Sequence, residues 1–412
     1  MDGVGFLIIL LVTLGAFVLW LGGTAVLIWG ERRVVAKMQS RIGPNRLGPL
    51  GLLQTIADGA KLFFKEDITP SNVDKVVYVA APIISAVVAL VTFAVIPYGG
   101  EFEVAGRVVR LQVWDPEIGL LWVLAMGSIG VYGIVLAGWS SGSKYPLLGG
   151  VRSSAQLISY ELAMSLAVAA VFVFAGSLRA SDIVAAQAQP FFGSWALPSW
   201  NFVPMLPAFV LFFIGAVAET QRPPFDLPEA EGELVAGFHT EYSGAKFAMF
   251  FLAEFMNVIT LSAVTVTLFF GGPGGPLFGP PFLQAVLPVV YFIVKTCAFI
   301  FVFIWLRATL PRLRYDRLMD LGWRVMLPLG LLWVLLTGFS VVVRQSAQRS
   351  TILRYAAAAA VVAAVLYLLA PLLDRRPGAG GDDGGGEDGD EEPLPTGDGG
   401  QALPRPREKV GA

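Results

Sequence analysis

The sequence predicts an all-α fold, a polytopic integral membrane helical bundle with nine transmembrane helices, the last near the C-terminus. Three observations predict it. The chain is 55% hydrophobic and only 15% charged, with a mean hydropathy of +0.68, outside the range of soluble globular domains. Apolar runs long enough to cross roughly 30 Å of hydrocarbon recur along it. Its basic residues are also unevenly spread. Segments 30–75, 140–154, 220–246, 307–324 and 374–412 hold 22 of the 29 Lys and Arg, against six in the alternate segments and one inside a span.

The apolar runs place spans near 4–29, 75–97, 117–139, 155–177, 202–219, 246–270, 285–306, 324–343 and 353–373. The first does not read as a cleaved leader, because Asp2 replaces a basic n-region, the run is too long and more spans follow. The basic side is expected to be cytoplasmic, so the N-terminus falls outside and the C-terminus inside the cell membrane. The last span falls within 346–376, after eight spans over 1–345, and an acidic tail follows over 377–412. The tail, "PGAGGDDGGGEDGDEEPLP" onward, cannot bury enough apolar surface to fold and is expected to be disordered.

One Cys (Cys297) and one His (His239) set limits on chemistry. They exclude a disulfide framework, a cysteine-ligated iron–sulfur cluster, a multi-histidine metal site and haem within this chain. If electrons are involved, the redox centre lies in another subunit. No metal site is expected.

The outer loops are short. "GGPGGPLFGPP" (271–281) reads as a plain turn, since its prolines remove N–H donors and no Lys or Ser/Thr follows. In the third span Gly127, Gly130, Gly133 and Gly138 are expected to let helix backbones approach. The inner loops carry more. Between the first two spans, Leu50, Leu53, Ile56, Ala57, Ala60, Phe63 and Phe64 recur at helical spacing, with Asp58, Lys61, Lys65 and Glu66 on the other face. That is an amphipathic segment lying on the membrane surface or against a partner.

Three ionisable groups fall inside spans: Glu161, Glu254 and Lys295. A charge near the bilayer centre costs at least ~2.5–3.5 kcal/mol, so such groups face a partner or water and often mark ion paths. Beside the fifth span, Ala218 to Tyr242 gathers Glu219, Asp226, Glu229, Glu231, Glu233 and Glu241 against a single Arg222. Carboxylates crowded in low dielectric raise one another's pKa values and can trade protons. Two readings stand at this point: a proton or cation path, or a structural pair in which Lys295 neutralises one acid.

Long ordered motifs carry a resemblance. "ERRVVAKMQSRIGPNRLGPLGLLQTIADGAKLFFKEDI", "GWSSGSKYPLLGGVRSSAQLISYE", "AETQRPPFDLPEAEGELVAGFHTEYSGAKFAMFFLAE" and "LRATLPRLRYDRLMDLGW" are similar to the H-type membrane subunits of bacterial complex I, NADH–quinone oxidoreductase, over roughly residues 1–345. The resemblance implies an eight-helix protein that joins the hydrophilic and membrane arms and helps enclose a quinone chamber. It binds no redox cofactor itself, with FMN and iron–sulfur clusters in partner subunits. Its partners are the hydrophilic-arm quinone-module subunits, neighbouring membrane subunits, quinone (ubiquinone among them) and lipid, with no nucleic acid.

Carried over by motif, Glu31, Arg32, Arg41, Asp58 and Lys61 would shape the quinone tunnel. Arg222, Phe225 and Asp226 would form the loop beneath the chamber, and Phe247 and Phe251 the lipid-facing entrance. Glu161, Glu219, Glu229, Glu231, Glu233 and Glu254 would form an acidic funnel, with Lys295 the remaining charge of the proton relay. The chain departs from the pattern at Gln221 and Gly232, and its third span lacks a carboxylate beyond Glu117 at its outer end. Two other functions fit the residues less well: the equivalent subunit of a membrane-bound hydrogenase, and a free-standing proton or cation transporter, which lacks support from any internal repeat.

Overall fold

The computed structural model describes residues 3–104, 106–188, 199–226 and 235–345. The expected ninth helix, the acidic tail and Glu229, Glu231 and Glu233 lie outside the described residues. Within them the chain is a helical bundle with seven helices long and apolar enough to cross a membrane and one shorter apolar helix.

Helix α1 runs Gly3–Met38, nine residues beyond the expected end. At 1.5 Å per residue its 36 residues span about 54 Å, well over the hydrocarbon thickness. "ERRVVAKM" is polar but helix-forming, and nothing stops the helix until Ser40 takes φ 55°. Its apolar face stays exposed at Phe6, Leu10, Leu14 and Phe17, as lipid contact requires. A loop leads to α2 (Gln54–Phe64), the amphipathic segment expected on the inner side, which leaves Phe63 and Phe64 exposed.

Helix α3 (Lys75–Thr92) is capped by Asp74, whose side chain accepts from the N–H groups of Val76 (3.2 Å) and Val77 (3.5 Å). A short antiparallel hairpin follows, β1 (Glu101–Val104) and β2 (Arg107–Arg110), pairing Glu101 with Arg110. This strand pair is the one departure from the all-α expectation among the described residues. Helix α4 (Gly119–Ser140) packs on α3 and on α5 (Lys144–Ala175). The glycines explain how closely. A Cβ on Gly133 would lie 2.1 Å from Ser85 Oγ, and one on Gly138 would lie 2.6 Å from the Pro146 carbonyl. Gly130 meets only Val88 at 3.5 Å.

Helix α5 starts eleven residues before its expected apolar run, and α6 (Ala180–Gln187) is a short element of eight residues. Helix α7 (Leu206–Glu219) has only 14 residues, about 21 Å. This is shorter than the roughly 30 Å of hydrocarbon a span has to cross, so non-helical backbone follows it within that thickness. That is tolerated only where the backbone is buried in protein or lines a cavity, and Thr220, Arg222 and Phe225 are indeed buried. Helices α8 (Gly244–Phe269), α9 (Pro281–Thr309), α10 (Tyr315–Asp320) and α11 (Leu327–Gln345) complete the bundle, with a π-helical segment, Leu321–Met326, joining the last two. The core centres on α5, α7 and α8, where Tyr160, Phe212, Met256 and Phe269 are fully buried.

Candidate functional site

One end of the bundle holds an ion cluster assembled from elements far apart in sequence. Because α1 continues past the apolar run, it carries Glu31 inward to the loop after α7. There Arg222 Nη1 donates to Glu31 Oε2 (2.6 Å) and Arg222 Nε donates to Glu254 Oε1 on α8 (3.2 Å). Arg307, near the end of α9, donates to the other oxygen of Glu31. The Arg222 guanidinium also lies 4.4 Å from the Phe255 ring centroid, a cation–π contact. Arg222 is only 2% exposed, so these partners carry its charge in place of water.

Glu254 is therefore partnered by Arg222, and Glu161 accepts from Ser128 Oγ on α4. Neither acid pairs with Lys295. Its Nζ instead donates to the carbonyls of Phe270 (2.8 Å), Gly272 (3.0 Å) and Gly274 (2.7 Å), and lies 5.2 Å from the Trp200 ring centroid. The loop 271–281, expected to be a plain turn, is thus a carbonyl cage for this lysine. The reading of Lys295 as a neutraliser of a buried acid is overturned by that geometry, and the lysine is not brought to the carboxylates.

A cavity of about 120 Å³ opens between α3, α4, α5, α7 and α8, lined among others by Glu161, Glu219, Glu254, His239, Phe247 and Phe251. A single water needs ~10–15 Å³ of such space, so there is room for several. Along α8 the lining residues run from Phe247 to Val264, about 25 Å at 1.5 Å per residue. Glu219 ends α7 at this cavity, with Oε2 sequestered and without a hydrogen-bond partner among the described residues. The side chains of Phe247, Phe251 and Phe255 form a ladder on α8, with ring centroids 6.1 and 4.6 Å apart. His239 meets its upper rung at 5.4 Å. Sequence reasoning passed over His239 except as a count. Burial holds its imidazole down at about 4, below the usual 6.5, so at neutral pH the ring is uncharged.

The remaining expected site residues fall in two places. Arg32 pairs with Asp58 across α1 and α2, and Gln54 Nε2 donates to the same carboxylate (2.9 Å). Partial burial pushes the Asp58 carboxyl up, but hydrogen bonds from Arg32 and Gln54 and the Arg32 and Lys61 charges outweigh it and leave the group below its usual range. Arg41 and Lys61 are exposed, with Arg41 bonded to Gln39. Phe225 is buried against Tyr160 (5.1 Å), and its carbonyl accepts from Gln156 Nε2 (2.7 Å). Arg312 Nη1 reaches the Asp226 carbonyl at 3.5 Å. Arg307 was missed altogether; its only sequence signal was a basic residue closing an apolar run.

Comparison with known proteins agrees over most of the chain. The family model described as NADH dehydrogenase matches residues 10–338. A relative from Frankia casuarinae, named as the H-type subunit of NADH-quinone oxidoreductase, is 54% identical over 332 residues, covering 80% of this chain and 72% of the relative. The protein of the same name from Frankia alni is 53% identical over 334 residues, with the same coverage.

Proposed function

The chain belongs to the NADH dehydrogenase family, as a multi-pass membrane subunit of complex I working among the other complex I subunits, and from that premise we propose that it helps form the quinone chamber and couples quinone reduction to proton translocation. The observation that carries this reading is the shared cavity: the carboxylates of Glu161, Glu219 and Glu254 face the same water-sized space as the aromatic wall of Phe247 and Phe251. Flat apolar rings suit an isoprenoid tail and a quinone ring. Carboxylates in a hydrated, low-dielectric space accept and release protons.

On this reading electrons reach quinone from FMN and iron–sulfur clusters in partner subunits, and this chain carries none. Glu31, Arg32, Asp58 and Lys61, with Arg222 and Arg307, set the electrostatic surroundings of the chamber, so charge developing on a reduced quinone is felt by the Arg222–Glu254 pair. Glu254, Glu219 and Glu161 then exchange protons along the cavity, with Glu229, Glu231 and Glu233 feeding it from the inner loop. The basic inner loops dock the hydrophilic arm, the N-terminus faces outward and the C-terminus the cytoplasm.

The test is photo-crosslinking in the assembled complex with a quinone bearing an azido group. The expected outcome is labelling on α8 around Phe247 and Phe251, abolished by excess unmodified quinone. Labelling confined to partner subunits under the same competition would overturn the placement of the chamber wall.

A further inference from the structure

We propose that Ser128 is a positioning residue whose hydroxyl acts as a two-position rotor, giving Glu161 a hydrogen bond in both of its protonation states. The inference rests on the reading of Glu161 as a proton-handling group and adds a residue to it.

The geometry is specific. Ser128 Oγ on α4 has two acceptors within reach: the Glu161 carboxylate on α5 and, at 3.3 Å, the carbonyl of Leu124 one turn back on its own helix. A serine hydroxyl has one hydrogen to donate and two lone pairs with which to accept, and a backbone carbonyl has a second lone pair beyond its helical bond. With Glu161 ionised, the hydroxyl hydrogen points at the carboxylate, a charge-assisted bond. When Glu161 takes a proton, its new O–H donates to Ser128 Oγ and the serine hydrogen turns to the Leu124 carbonyl. No proton is gained or lost by Ser128 in either direction. The rotor leaves neither state of Glu161 without a partner, so proton exchange at that position avoids the cost of an unsatisfied buried group.

Neighbouring residues leave this task to Ser128. Gly127 places no side chain between α4 and the carboxylate; a Cβ there would lie 3.7 Å from Glu161 Oε1. Around the cavity α3 contributes Ser85 and no charge, and the other ionisable groups lining it are Glu219 at the end of α7, His239 in the loop before α8, edge-on to Phe247, and Glu254 on α8. Glu254 is held by Arg222, and Glu219 offers an acceptor in its ionised form. Ser128 is the one hydroxyl that bonds Glu161 among the described residues. The third span's lack of a carboxylate is thus met by a neutral donor–acceptor.

Ser128→Ala, Ser128→Thr and Ser128→Cys in the assembled complex test the rotor, with infrared difference spectra and the pH profile of proton-coupled quinone reduction as readouts. The Glu161 carboxyl band is identified by its loss in Glu161→Gln. In Ser128→Ala that band moves to higher frequency, and coupled turnover falls roughly tenfold, the size of one charge-assisted hydrogen bond, with an altered pH profile. Ser128→Thr, whose extra methyl projects at an exposed position, keeps the wild-type band and profile. Ser128→Cys, near-isosteric with a weaker donor, falls between. An unmoved band and a wild-type pH profile in Ser128→Ala would overturn the proposal. So would a Ser128→Thr complex as impaired as the alanine variant, because shape and not the hydroxyl would then matter. Normal pumping in Glu161→Gln would instead sink the relay reading itself, whereas impaired Glu161→Gln beside normal Ser128→Ala would sink only the rotor.

Discussion

Arg222 carries its charge between two carboxylates with 2% of its surface exposed, and burial of that kind makes its removal costly. Losing one member of a buried ion pair costs about 3–5 kcal/mol, because the partner is left charged and undersolvated. Arg222→Ala is therefore expected to lower the yield of assembled complex sharply on native gels; normal assembly would contradict the cluster. Arg222→Lys keeps the charge but not the fork that reaches both acids, so an intermediate yield is expected. Asp58→Asn should lower NADH-driven quinone reduction several-fold while electron transfer to a water-soluble artificial acceptor stays intact, since that acceptor draws electrons upstream. Loss of both activities would mean failed assembly instead. The Asp58 carboxyl is depressed in the folded state, so its contribution is present above the ordinary 3.8 and fades only as pH falls through the lower folded value. The pair therefore adds no pH dependence between 5 and 8. His239 acts in a higher window. Its folded value of about 4 lies below the ordinary 6.5, so the unfolded chain binds the proton first and stability falls as pH drops from 6.5 toward 4. His239→Gln should flatten part of that loss in thermal melts of the complex; an unchanged slope would show that the imidazole is not buried neutral.

Glycine contacts decide which helix crossings tolerate change. Gly138→Ala drives a Cβ into the Pro146 carbonyl at 2.6 Å, and backbone cannot swing aside, whereas a Cβ on Gly22 meets nothing within 4 Å. Gly138→Ala is thus expected to reduce assembled complex while Gly22→Ala does not, and equal behaviour of the two would refute the packing at the α4–α5 crossing. Eight of the nine expected spans correspond to described helices because a hydrophobic run reports lipid contact directly. Helix ends were less legible: Glu31–Met38 and Lys144–Ser154 are helical, yet Glu31, Arg32, Arg33 and Lys37 in the one and Lys144, Gly149, Gly150 and Arg152 in the other interrupt the apolar runs. The short hairpin at 101–110 was hidden because its four-residue strands follow the apolar run of α3 closely. The partner of Glu254 was illegible too. Arg222 lies 32 residues away and Glu31 a further 191 positions from Arg222, and no local spacing links them. The surroundings of Lys295 were illegible as well: a lone cation among apolar residues suggests an acid as counter-charge, whereas three carbonyls just after α8 accept from it.

Across the described bundle, the large exposed side chains of α1 from Phe6 to Phe17 are apolar, and the cavity gathers acids contributed by three helices. Removing residues 377–412 is expected to leave assembly and turnover nearly unchanged, because so acidic and glycine-rich a sequence has little apolar surface to bury; lost complex would make it a docking element. The account's central claim is that the cavity carboxylates couple proton movement to quinone reduction, and Glu219 tests it most directly. It sits where α7 stops, with one oxygen unpartnered among the described residues, so Glu219→Gln removes a titrating group without breaking a hydrogen bond seen at that atom. Quinone reduction and proton translocation are to be measured together on vesicles with equal amounts of assembled Glu219→Gln and Glu219→Asp complex. The account predicts that both activities fall together in the glutamine variant and recover substantially in the aspartate variant, which still titrates. A stable Glu219→Gln complex with full quinone reduction and normal protons per turnover would contradict it.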